Sequence, residues 1–77
     1  MPTYLNQAQE HFERFNYLAD YHRCRSDEVA YHHNALGECY QRAKPQQQIV
    51  IRELVARANQ RWAALDSCGS TGQATTQ

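Results

Sequence analysis

The sequence predicts an all-α fold, either a small three-helix bundle or a long helical hairpin, completed by dimerisation. Apolar residues recur at three- and four-residue steps over most of the chain. Three glycines and two prolines are too few to supply the turns of a β-sheet. The 77 residues suffice for one domain, and so short a chain buries a marginal core.

A first helix is expected over residues 3–24, with Pro2 or Thr3 at its start. Its apolar residues fall on one face. They are Leu5, Ala8, Phe12, Phe15 and Ala19.

A second helix is expected over residues 27–43. Ser26 is a suitable N-cap, and Asp27 and Glu28 place negative charge in the first turn, where the helix dipole favours it. One continuous helix from residue 3 to 43 is the alternative, because no glycine or proline forces a break near Ser26. Gly37 is expected to let a neighbouring helix approach closely. The apolar stripe of the second helix is Val29, His33, Leu36, Tyr40 and Ala43.

Pro45 predicts the start of a third helix, residues 45–66, because it disfavours helical backbone at Lys44 and suits the first helical position. Trp62 is its expected anchor in the core. Residues 67–77 are small, polar and aperiodic, and we expect a flexible tail. The stripe of the third helix is Ile51, Leu54, Val55, Ala58, Trp62 and Leu65.

The charge balance argues against a nucleic-acid binder, since eight basic residues face eight acidic ones. No apolar run approaches the length of about 18 residues that suggests a membrane span. The N-terminal residues lack the basic and apolar regions of a secretory signal. Three irregularly spaced cysteines favour free thiols over a disulfide framework. A cytoplasmic location is expected.

The histidines are the most unusual feature, because His11, His22, His32 and His33 lie on or beside the apolar stripe if the first two helices share a phase. With Cys39 on the same flank, a weak alternative is a metal site made of His22, His32, His33 and Cys39. No two of these residues have the spacing typical of helical metal ligands. Packing at the core margin is the simpler interpretation, and protonation there would make stability depend on pH.

No pattern indicates catalysis or a cofactor. A nucleophilic cysteine needs a base and a positive surrounding, and Arg23 and Arg25 flank Cys24 only in sequence. We therefore expect no enzyme activity, no catalytic residue and no bound cofactor.

The tyrosines provide the functional prediction, because Tyr17, Tyr21 and Tyr31 recur opposite the first apolar stripe in a continuous helix. Tyrosine and arginine are favoured at protein interfaces. We predict a non-enzymatic interaction module that acts as adaptor, regulator or inhibitor. One alternative is that a bend near Ser26 brings the tyrosines into the core, and another is nucleic-acid regulation through the arginines of the third helix. The predicted contact residues are Tyr17, Tyr21, Tyr31, Arg52, Arg57 and Arg61.

Overall fold

A computed structural model describes residues 3–68 of the chain, and within these residues the structure consists of three α-helices and no strand. The predicted all-α bundle is thereby confirmed. Each observed helix begins and ends within two residues of the expected bounds. The helices are α1 (Tyr4–His22), α2 (Asp27–Arg42) and α3 (Pro45–Ala64).

The starts of the helices follow local capping rules. The Thr3 side chain accepts a hydrogen bond from the backbone N–H of Asn6 at 3.1 Å, and Ser26 accepts one from Val29 at 3.2 Å. Each hydroxyl satisfies a backbone donor that has no partner within the helix. The third helix has no side-chain cap and begins instead with Pro45, whose missing N–H costs nothing there.

The first helix ends at His22 because Arg23 adopts left-handed backbone conformation, with φ of 58° and ψ of 25°. The N–H of Arg23 bonds to the carbonyl of Ala19 at 2.8 Å and closes the last turn. The alternative of one helix through Ser26 is therefore wrong. Glycine usually takes such a position, and an arginine there gives no signal in the sequence.

The core lies where the three predicted stripes meet. Its largest fully buried side chains are Phe15, Val29, Leu36 and Ile51. Cys39, expected on the flank, is buried among them, whereas Trp62 is half-buried and packs at the edge. The expected role of Gly37 is wrong, because a Cβ built there would meet nothing within 4 Å.

The chain beyond α3 returns to the loop between α1 and α2. Cys24 and Cys68 form a disulfide across 44 residues, with their Cα atoms 5.0 Å apart. The expectation of free thiols is wrong for this pair and holds only for Cys39. Cys68 belongs to the segment predicted to be a flexible tail and is joined to Cys24 by this bond, and residues 69–77 of that segment lie outside the described part. Among residues 3–68, no helix combines the length and apolar character needed to cross a membrane.

Candidate functional site

The exposed tyrosines lie on α1 and α2. Tyr17, Tyr21 and Tyr31 are 61%, 73% and 63% exposed, and Tyr4 is 37% exposed. The alternative that places the first three rings in the core is therefore wrong. Burying such rings against a partner would remove a large apolar area from water and keep the hydroxyl at the rim.

Contacts between α1 and α2 show that the second helix runs back along the first. His22 contacts Glu28 near the loop, Phe15 contacts His33 further along, and His11 contacts His32 further still. The His11 and Tyr31 rings also meet in a T-shaped arrangement, with their centroids 6.0 Å apart. We call the surface of Tyr4, His11, Tyr17, Tyr31 and His32 the tyrosine–histidine seam.

The centre of the seam is a hydrogen bond between the Nδ1 atoms of His11 and His32, which are 2.9 Å apart. One ring must donate its proton and the other must accept, so the bond cannot form when both rings are fully protonated. Burial lowers the pKa of His32, and the nearby His11 and Arg14 lower it further, while Glu28 acts in the opposite direction. These influences favour a neutral His32.

Two shallow concavities border this pair. One of about 510 Å³ is lined by His11, Arg14, Tyr17 and His32, together with two glutamates. The other, of about 370 Å³, is lined by Tyr4, His11 and Tyr31 among others. The seam is therefore a ridge of aromatic rings between two open depressions, a shape that can receive side chains of another protein.

The residues of the predicted metal site do not converge. His22 donates to a carboxylate oxygen of Glu28 at 2.9 Å, and His33 donates to the side-chain oxygen of Asn59 at 2.8 Å. His32 pairs with His11, which the predicted set omitted. In residues 3–68 no group of three or more histidine, cysteine or acidic side chains is placed to hold a metal ion.

Cys39 is the fourth predicted ligand, and its surroundings keep the thiol neutral. Burial raises its pKa, Glu38 raises it further, and Arg42 opposes them. A metal ligand or a nucleophile requires the thiolate. Cys39 therefore serves as a small apolar core residue.

The predicted arginine set is divided. Arg52 and Arg57 are exposed on α3, whereas Arg61 is half-buried and pairs with Asp20 of α1. Arg61 also donates to the side-chain oxygen of Asn16 at 3.2 Å. Its charge thus joins α3 to α1, which leaves fewer arginines for a phosphate backbone.

A second cluster surrounds Trp62, at the opposite end of α1 from Tyr4. The Trp62 indole stacks on His33 with centroids 4.7 Å apart and 10° between the planes. Arg25 lies 5.2 Å from the centroid of the indole and donates from Nε to the Trp62 carbonyl at 3.0 Å. We call Cys24, Arg25, Trp62, Asp66 and Cys68 the disulfide corner.

Sequence reasoning missed His11 as a site residue and the Cys24–Cys68 pair altogether. Both depend on how the chain folds back, and no spacing in the sequence marks either contact. Comparison with known proteins adds no lead, because no protein-family model, curated protein or solved structure matches this chain.

Proposed function

We propose that the protein is a non-enzymatic interaction module, acting as adaptor, regulator or inhibitor, that binds a protein partner through the tyrosine–histidine seam. The observation that carries the proposal is the exposure of Tyr17 and Tyr31, both above 60%, beside the two concavities. Aromatic rings placed around depressions are typical anchors of protein interfaces.

The chemistry of the seam favours a partner with mixed polar and apolar character. Glu10 and Glu13 line the larger concavity with Arg14, so acceptors and a cation lie beside the rings. Such a surface suits a protein interface, in which aromatic anchors are surrounded by hydrogen-bonding groups. A polyanion would meet these carboxylates, and Arg61 is already paired. Nucleic acid is therefore the less favoured partner.

The test is a comparison of matched variants in affinity capture from the native host. A Tyr17→Ala/Tyr31→Ala variant should lose at least one protein that the wild-type chain retains. An Arg52→Ala/Arg57→Ala variant, altered at two exposed residues of α3, should retain it. Equal capture by the wild type and both variants would refute the seam as the contact surface, and loss only in the arginine variant would favour the alternative.

Self-association is a separate part of the proposal. Ile49 and Val50, at the start of α3, are 66% and 46% exposed, and a second copy would cover them. Light scattering after size exclusion should give a dimer for the wild type and a monomer for Ile49→Glu/Val50→Glu. A monomeric wild type at micromolar concentration would refute the homodimer.

The cytoplasmic location stays a prediction. The Cys24–Cys68 disulfide is an argument against it, because reducing compartments keep thiols free. Alkylation of thiols at the moment of lysis in the native host decides the matter. A cytoplasmic protein should show Cys24 and Cys68 as thiols, whereas protection of both from alkylation would indicate an oxidising compartment.

A further inference from the structure

In the disulfide corner, one disulfide and two hydrogen bonds join the end of α3 and the residues that follow it to the loop between α1 and α2. Besides the disulfide, the backbone N–H of Arg25 donates to the carbonyl of Asp66 at 2.8 Å, in an isolated parallel bridge between Cys24 and Asp66. The Arg25 side chain holds the carbonyl of Trp62. The segment 65–68 is thus fastened to the loop 23–26 by the disulfide and by bonds through one arginine.

We propose that Cys24–Cys68 is an exchange site for a dithiol reductant, such as a thioredoxin-type oxidoreductase, and that its reduction releases segment 65–68 from the loop and exposes Trp62. The proposal is independent of the proposed function, since none of the seam residues belongs to the corner.

The accessibility of the two cysteines determines which sulfur the incoming thiolate attacks. Cys68 is exposed and Cys24 is half-buried, so an incoming thiolate reaches Cys68 first. Its attack forms a mixed disulfide with Cys68 and breaks the Cys24–Cys68 bond, and the electron pair leaves on Cys24.

The second thiol of the reductant then attacks the mixed disulfide and releases Cys68. The protein gains two electrons and two protons and ends with two thiols, while the reductant ends as a disulfide. Cys39 does not compete, because it is buried in the core.

The release is confined to the corner by the position of the core. The largest buried side chains, Phe15, Val29, Leu36 and Ile51, belong to a cluster that contains neither Cys24 nor Cys68. The helix caps made by the hydroxyl groups of Thr3 and Ser26 also remain. Segment 65–68 loses its covalent tether to the loop. The Trp62 ring, which contacts His33 and Arg25 next to this segment, is then less firmly held.

The test uses the full chain, with dithiothreitol as the probe and Trp62 fluorescence as the readout, since Trp62 is the single tryptophan. Reduction should shift the emission to longer wavelength while most of the 222 nm ellipticity remains. Alkylation in denaturant should count one thiol per chain before reduction, which is Cys39, and three after it. Cys39→Ser is the matched control and should respond as the wild type does.

Two further arms make the outcome decisive. Cys24→Ser/Cys68→Ser should show the shifted emission from the start and no response to dithiothreitol. A thioredoxin that lacks its resolving cysteine should be trapped on Cys68. Three thiols counted in protein equilibrated with oxidised glutathione, an unchanged emission after full reduction, or trapping on Cys24 alone would each overturn the proposal. So would a collapse of ellipticity on reduction, because the disulfide would then support the whole fold.

Discussion

The disulfide corner joins the loop between α1 and α2 to the end of α3, whereas the tyrosine–histidine seam joins α1 to α2, and the two regions use different kinds of contact. At the corner, Arg25 and Cys24 hold the end of α3 by a covalent bond, hydrogen bonds and an indole contact. At the seam, one hydrogen bond joins His11 to His32, and the surrounding tyrosines face solvent. The difference indicates that the corner fastens the end of α3 to the loop between α1 and α2, whereas the seam leaves its tyrosine rings exposed.

The comparison is tested most severely by removing the disulfide. Cys24→Ala/Cys68→Ala should lower the free energy of unfolding by about 4 kcal/mol, because the bond closes a long loop in the unfolded chain. Urea unfolding of the variant and of the wild type measures the difference. A loss below about 1 kcal/mol would show that the corner contributes no more than an ordinary surface contact.

The Trp62 side chain gives the second largest expected effect. Trp62→Ala removes the contacts with His33 and Arg25 and a ring that packs on the core edge. We expect a loss of about 3 kcal/mol, the lower end for large aromatic residues, because the ring is only half-buried. Tyr17→Ala, at the seam, is the control and should change stability by less than about 0.5 kcal/mol. Equal losses at both positions would remove the distinction between the regions.

The His11–His32 pair is expected to have the smallest effect on the free energy of unfolding. Unlike the disulfide corner, it should make this free energy depend on pH. The pKa of His32 is lowered in the folded state, so the unfolded state binds more protons below the ordinary value near 6.5. Stability is therefore full above about pH 6.5 and falls as pH decreases below it. Loss of the Nδ1–Nδ1 bond should cost about 1 kcal/mol.

Urea unfolding at pH 7.5 and pH 5.0 measures this effect, with His32→Asn as the variant. The variant should show a smaller loss between the two pH values than the wild type. His22→Asn is a less suitable control, since His22 also contacts Glu28, and Gln9→Asn at an exposed site of α1 serves instead. A pH response unaffected by His32→Asn would assign it to other groups.

The sequence was sufficient for the three helices because their signals are local. Ser26 caps α2, Pro45 begins α3, and the apolar stripes are set by the helical repeat. The corner and the seam depend on contacts between distant residues, such as Cys24 with Cys68 and His11 with His32. Their pairing follows from how Arg23 turns the chain, and an arginine in left-handed conformation has no sequence signature.

For the predicted contact residues, too, the sequence identified the residue types but not their exposure or their partners. Tyr17, Tyr21 and Tyr31 could be picked out by their residue type, but a bend near Ser26 was expected to bring them into the core. The chain does bend after His22, and the three rings are nevertheless exposed. Arg61 resembled its neighbours Arg52 and Arg57 in sequence. Its ion pair with Asp20 depends on the packing of α3 against α1, which periodicity alone does not specify.

Hydrogen exchange of the backbone amides, measured on the oxidised and reduced full chain, tests the division between the two regions most directly. We predict that reduction abolishes measurable protection in residues 23–26 and 62–66, while residues 8–17 and 30–39 stay protected, with a decrease no larger than the fall in the free energy of unfolding. Complete loss of protection in all three helices on reduction, or no change in residues 62–66, would contradict this prediction.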